Sequence, residues 1–372
     1  MGSGKNRTRV PMTDLSSSLG GGPAAPAWGL NNTWQCSQGN EGPSACPHGY
    51  QDDLFMRRVE EVIANSSATP DAPLFLFWAP HAPHDPYEVP AAYLEKFAGV
   101  DVERRRYYAS MVNYLDGNFG RLEAALRDAG RWSDTLIVAS SDNGGPVDSV
   151  RGGNNFPLRG GKSSNFEGGI RVTAFAFGGA LDPTLAGTST SELTSIEDWW
   201  PTFALLGGAD TSDAPAAAAG LPPVDGVDLR GLFLPGGNRT SPRSRVVIGD
   251  AAGGDMAAGA TTVGGVITRE GWKLLRGHVS NPFWQGPVFP NASAYPSGSL
   301  ACEPACLFNV REDPHELHDV AAANPTIVAA LLAEVEALQA GVWSPNRGNA
   351  SDGLACKVAL AAGGGFWGPF LD

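Results

Sequence analysis

The 372-residue chain lacks any long apolar run; its cleanest, Pro73 to Pro80, is far shorter than the ~20 residues a membrane-spanning helix needs. A helical membrane span is therefore excluded. It also lacks a basic excess: 26 Lys and Arg face 39 Asp and Glu, a formal net charge of −13. Such an acidic surface repels phosphate backbones, so no nucleic acid partner is expected. Charged residues make up only 17% of the chain, against roughly 25% in an average soluble domain. Residues 1–30 have a basic start but no apolar core, so no signal peptide is legible there. Cysteine is sparse and odd in number: Cys36, Cys46, Cys302, Cys306 and Cys356. Their spacing permits local bridges 36–46 and 302–306, leaving Cys356 over, and no histidine stands at zinc-finger spacing from either pair. The unpaired cysteine and the missing leader together predict that further sequence belongs before residue 1.

What is present reads as a layered α/β protein. Glycine (48) and proline (29) make the chain loop-heavy, and the first fifty residues show no periodicity. Leu54, Phe55, Val59, Val62 and Ile63 then mark one side of a helix. Pro73 to Pro80 reads as a strand buried on both faces, ending in His81-Ala-Pro-His84-Asp85-Pro86. Met111, Leu115, Phe119, Leu122 and Leu126 define the longest helix, over 101–129, with Gly130 as its stop. A second buried strand, Thr135 to Ala139, runs into Ser140-Ser-Asp142-Asn143-Gly-Gly145. This alternation predicts a largely parallel sheet. A Gly-rich loop over 152–171 carries Arg159, Lys162, Glu167 and Arg171. Short strands at 245–248, 265–268, 272–275 and 306–310 predict a small antiparallel sheet, and Asn324-Pro325 opens a final amphipathic helix. The expected division is an irregular region 1–50, a catalytic α/β part 51–215 and an α+β part 216–372. Asn-x-Ser/Thr sequons occur at Asn6, Asn31, Asn65, Asn238, Asn291 and Asn349.

Ligands of open α/β sheets sit beyond the carboxyl ends of the strands, where His84 and Asp142-Asn143 both fall. An Asp-Asn pair offers hard oxygens suited to Ca²⁺ or, less well, Mg²⁺. The same Asp-Asn-Gly-Gly is equally good turn chemistry. His84 reads as a structural hydrogen-bonder or a catalytic imidazole, and Lys162 as a solvated lysine or an anion contact. Asp52-Asp53 reads as the N-cap of the helix that follows, and His315 and His318 as structural.

Together these segments are more specific than any one of them. Phe75-Leu-Phe-Trp-Ala-Pro-His-Ala-Pro-His84-Asp-Pro-Tyr, Tyr108 to Asp116 and Thr135 to Gly145 resemble, in order and spacing, segments of the sulfatases. So do Asn154-Asn-Phe-Pro-Leu-Arg-Gly-Gly-Lys162, Phe166-Glu-Gly-Gly-Ile-Arg171, Asp198-Trp-Trp-Pro-Thr202, Trp272-Lys-Leu-Leu275 and Leu307 to Pro314. The resemblance covers roughly 46–340 and is closest to the arylsulfatase B type. It implies an alkaline-phosphatase-like α/β fold, incomplete at its N-terminus, with a smaller C-terminal antiparallel sheet and helix. It further implies a sulfuric-ester hydrolase acting on a sulfated small molecule or sulfated glycan, with a secreted or lysosomal parent. His84 would contact the sulfate, Lys162 would neutralise its oxygens, and Asp142 and Asn143 would be two ligands of a Ca²⁺ ion.

One family feature is missing. Sulfatases make a formylglycine nucleophile from a Cys/Ser-x-Pro/Ala-x-Arg motif, and none of the 372 residues lies in such a frame. The opening strand with its adjacent Asp pair is absent as well. Three readings follow: a truncated sulfatase with an active parent, a short anion-binding pseudoenzyme, or a phosphatase or phosphodiesterase of the same superfamily. The last needs two transition metals and more Asp/His ligands than are present. The chain alone is expected to be poorly soluble and without turnover, because its sheet would keep a bare apolar edge.

Overall fold

A computed structural model describes residues 50–147, 152–249, 263–287 and 299–342, with position 357 and the short ladder between β1 (Ser16–Ser17) and β2 (Ala25–Pro26). Cys36, Cys46 and Cys356 lie outside the described residues. So do the sequons other than Asn65 and Asn238, both of which are exposed.

Helix α1 (Gln51–Ser66) buries Met56, Val59 and Ile63 against Leu122 and Leu126 of α3 (Glu103–Asp128), and Leu54 is buried as well. Of the predicted stripe, Met111, Leu122 and Leu126 are buried, whereas Leu115 and Phe119 are only half-buried and the polar Ser110, Tyr114 and Asn118 are buried beside them. Short α2 (Ala91–Glu95) leans on the same helix. Tyr50, not an aspartate, occupies the N-cap of α1, and no side chain caps that end. Asp52 instead turns its carboxylate away to accept from the backbone amides of His81 (2.9 Å) and Ala82 (3.1 Å). The capping expectation is thus corrected: a buried carboxylate gains more from two otherwise unpaired amides than from its own helix end.

Strand β3 (Ile137–Ser140) pairs antiparallel with β4 (Ala174–Phe177), Ile137 opposite Phe177 and Ser140 opposite Ala174. Segment 73–80 has no ladder partner among the described residues. It alternates instead of being buried on both faces: Leu76 and Trp78 pack against the α1/α3 cluster, whereas Phe75 and Phe77 are 71% and 82% exposed. No strand among the described residues flanks it, so its second face stays bare.

Beyond α4 (Glu167–Ile170), α5 (Trp199–Leu206), α6 (Ala214–Ala218) and α7 (Arg230–Phe233), a four-stranded antiparallel sheet forms in the order β5-β6-β7-β8. Its strands are Arg245–Gly249, Val263–Thr268, Trp272–Ser280 and Ser299–Asn309. A register shift between Leu275 and Gly277 is absorbed by Gly277 at φ 73°, a conformation that favours glycine at a bulge. One face carries Val266, Leu274 and Leu307 against Leu331 and Val335 of α8 (Pro325–Ala340). The other face carries Ile267, Leu275, Phe308 and the Cys302–Cys306 disulfide, and Phe166 from the Gly-rich loop packs into it. Full burial of each such side chain contributes about 1.5–3 kcal/mol. Through Phe166, the second half of the chain holds a loop of the first.

Candidate active site

His84 leaves a short turn closed by its own amide on the His81 carbonyl (2.8 Å), directly after the backbone that Asp52 holds. Its Nδ1 lies 2.7 Å from the Asp85 carbonyl and 2.9 Å from Asp85 Oδ1. Both are acceptors, so Nδ1 carries the proton and Nε2 presents a lone pair. Lys162 Nζ stands 3.2 Å from that Nε2, the geometry of an ammonium donating to a neutral imidazole. His81, three residues before His84, packs edge-on against Phe55 with ring centroids 5.3 Å apart.

The loop bearing Lys162 is fixed at many points. The Lys162 amide donates to the Gly145 carbonyl (3.1 Å), and Asn281 Nδ2 donates to the Lys162 carbonyl (3.1 Å). Asn155 ties together both loops of the site. Its Oδ1 accepts from the Gly145 amide (2.9 Å), while its Nδ2 donates to the Gly145 (2.9 Å) and Gly160 (3.1 Å) carbonyls. Gly144 lies so close to the Gly168 carbonyl that a Cβ would stand 1.7 Å from its oxygen, which is why no side chain fits there.

Behind the loop lies a buried ionic cluster. Lys273 Nζ, wholly buried, pairs with Glu167 (3.0 Å) and Glu316 (2.8 Å), and the Glu167 amide donates to Glu316 Oε2 (2.6 Å). Two carboxylates share one ammonium, and burial raises the Glu316 carboxyl above its usual range, with Glu167 adding to the rise. Arg159 stacks on Phe166 (4.0 Å) and Trp284 (4.1 Å) and donates to the Pro282 and Glu316 carbonyls. Burial lowers its guanidinium to about 10.

Asp142 and Asn143 follow β3 as expected and line the same cavity, about 2650 Å³, as His84 and Lys162. Asn143 Nδ2 donates to the Gly144 carbonyl (3.0 Å). Two oxygen donors fall well short of the usual 6–8 around Ca²⁺. Among the described residues no cluster of three or more acids, histidines or cysteines supplements them. The described residues alone therefore do not fit a Ca²⁺ ion. The cavity runs on into an apolar trough walled by Phe75, Phe77, Val138, Phe175, Trp200 and Phe203.

A model of the sulfatase family matches residues 18–209. The chain belongs to the sulfatase family. Within it, the chain is 31% identical over 299 residues to arylsulfatase J of Mus musculus, covering 76% of this chain and 48% of that protein. It is 31% identical to arylsulfatase A of Homo sapiens over 288 residues, 74% of this chain and 50% of that one. It thus spans about half the length of these curated relatives. Among solved structures, Ps i-CgsB superimposes with a TM-score of 0.64 at 26% identity, over 82% of this chain and 58% of that one. The same protein in complex with k-i-k-neocarrahexaose gives 0.63 at 25% over the same shares. The alkaline-phosphatase-like α/β class and the C-terminal antiparallel sheet with its helix stand as the sequence suggested; the largely parallel sheet does not, since every ladder among the described residues is antiparallel. No helix of the described residues is long and apolar enough to cross a membrane. Sequence reasoning did not single out Asn155, Lys273 or Glu316. Lys273 left a faint signal, a charge inside a strand otherwise apolar between Trp272 and Leu275.

Proposed function

We propose that these residues form the sulfate-holding side of a sulfatase active site, acting on sulfate monoesters of small molecules or glycans. The observation that carries this reading is the 3.2 Å contact between Lys162 and His84, side chains from two separate loops meeting in a cavity that Asp142 and Asn143 also line. An incoming sulfate oxygen replaces Nε2 as the acceptor for the Lys162 ammonium. His84 then takes up a proton and donates through Nε2, while the Asp85 carboxylate offsets its charge. Preorganised cations at that position favour negative charge building on oxygen as the S–O bond breaks. Asp142 and Asn143 would contribute two of the oxygens of a Ca²⁺ site, with the other ligands from outside the described residues. In sulfatases the attacking oxygen belongs to formylglycine. No residue of this chain fits that role, so no step is assigned to it. Asn65 and Asn238, exposed sequons, agree with a secretory or lysosomal location.

A second reading, an anion-binding protein without turnover, is favoured by one observation, the absence of Cys/Ser-x-Pro/Ala-x-Arg in the 372 residues. The deciding test is aryl sulfate hydrolysis by the protein isolated from its source, read beside its deglycosylated intact mass. Turnover by a species heavier than 38.8 kDa carrying formylglycine supports the hydrolase. A 38.8 kDa species that binds sulfate and turns nothing over supports the second reading. A species that neither binds nor hydrolyses overturns both.

A further inference from the structure

Arg104, in the first turn of α3, is exposed, and its guanidinium carbon lies 5.3 Å from the centroid of the Tyr87 ring. Among the described residues no carboxylate pairs with it, although the chain carries 39 acids against 26 bases. Both partners are fixed to the site. Tyr87 stands three residues beyond His84, hence within about 10 Å along the backbone. The Arg104 carbonyl packs against Gly152, where a Cβ would meet it at 2.7 Å, and Arg105 Nη1 donates to the Gly152 carbonyl (2.8 Å). Gly152 opens the segment that runs through Asn155 to Lys162. The Arg104–Tyr87 stack therefore bridges the His84 loop and the Lys162 loop. Phe156, next to Asn155, is 50% exposed and lines the same cavity as Tyr87, Arg104, His84 and Lys162.

Resting on the sulfate-ester reading above, we propose that Arg104 and Phe156 form a subsite beside the sulfate position, and that the substrate is a glycan bearing a second anionic group. A guanidinium laid on an aromatic face keeps its N–H edge free, and that edge matches a sulfate or carboxylate bidentately. The exposed Phe156 ring offers an apolar face to the C–H side of a sugar. A small aryl monosulfate would use neither group, and a sulfated glycan with a neighbouring anion uses both.

The test compares binding to the full-length protein by titration calorimetry, so that turnover is not required. The ligands are inorganic sulfate, a monosulfated disaccharide, its disulfated analogue and a monosulfated disaccharide containing a uronate. The wild type should prefer one or both doubly anionic disaccharides by about tenfold to a hundredfold, the scale of a charge-assisted contact. The favoured ligand identifies the second anion as sulfate or carboxylate. Arg104→Ala should bring that preference close to one, and Arg104→Lys, which keeps the charge but not the fork, should recover part of it. Inorganic sulfate binding without any disaccharide preference, or an Arg104→Ala variant that keeps the preference, overturns the subsite alone. Failure of the wild type to bind inorganic sulfate overturns the sulfate-ester reading and the subsite with it.

Discussion

Lys162 and His84 are 78 residues apart in sequence, and their side-chain nitrogens meet at 3.2 Å. The contact requires a proton on Lys162 and a lone pair on His84 Nε2. Sulfate reverses the second requirement, because its oxygens only accept. Sulfate binding should therefore take up a proton, seen as a binding enthalpy that changes with buffer ionisation heat. His84→Ala should abolish that uptake. Lys162→Ala and His84→Ala should each weaken sulfate binding by about tenfold to a hundredfold.

Lys273 is wholly buried between Glu167 and Glu316. Lys273→Met fits the same space but leaves two buried carboxylates facing each other. The expected loss is about 3–5 kcal/mol in chemical denaturation. The loop that carries Lys162 should loosen with it, since Glu167 belongs to that loop.

Glu316 adds a pH signature. Its carboxyl is raised above the usual 4.5, by burial first and by Glu167 second, with Lys273 opposing. A raised carboxyl binds its proton more tightly folded than unfolded. Its contribution is complete below the usual value and is lost as pH rises through the raised one. Glu316→Gln keeps an acceptor for the Glu167 amide and removes the titration. Urea midpoints should show the variant gaining on the wild type as pH rises from about 4.5, the ordinary carboxylate value. A difference that stays flat with pH would show that Glu316 does not titrate in this way.

Gly144→Ala should cost about 3 kcal/mol or more, the upper end of overpacking, because its Cβ would press on the Gly168 carbonyl at 1.7 Å and neither backbone can yield alone. Sulfate affinity should fall in parallel, as Asn143 precedes Gly144 and the Lys162 amide donates to the carbonyl of Gly145 that follows it.

Phe75 and Phe77 leave an apolar face open to water. Phe75→Ser with Phe77→Ser should lower binding of an apolar dye and raise the concentration at which the chain self-associates, measured by light scattering.

Much of this architecture was legible in the sequence. The helices over 51–66 and 103–128, the strands of the C-terminal sheet and the final helix follow from apolar periodicity, which reports the face a segment buries. Periodicity does not report what covers that face, so Pro73 to Pro80 read as doubly buried although one side is bare. Partner choice was equally hidden. Nothing in Asp52-Asp53 signals that Asp52 reaches the amides of residues 81 and 82, and nothing couples Glu167 to Lys273 and Glu316 over 106 and 149 positions. His84, Lys162, Asp142 and Asn143 were singled out by strand ends and by the family order of the segments around them, and the fold brings all four to one cavity.

The hydrogen bonds that hold the Lys162 loop reach forward 116 to 157 residues, to Ser280, Asn281, Pro282 and Glu316. Closing loops of that size is slow, and the last of these partners is made late during synthesis. The loop that carries Lys162 should therefore take its final shape only after residues 280–316 have been made. Its assembly is a report that the far end of the chain has arrived.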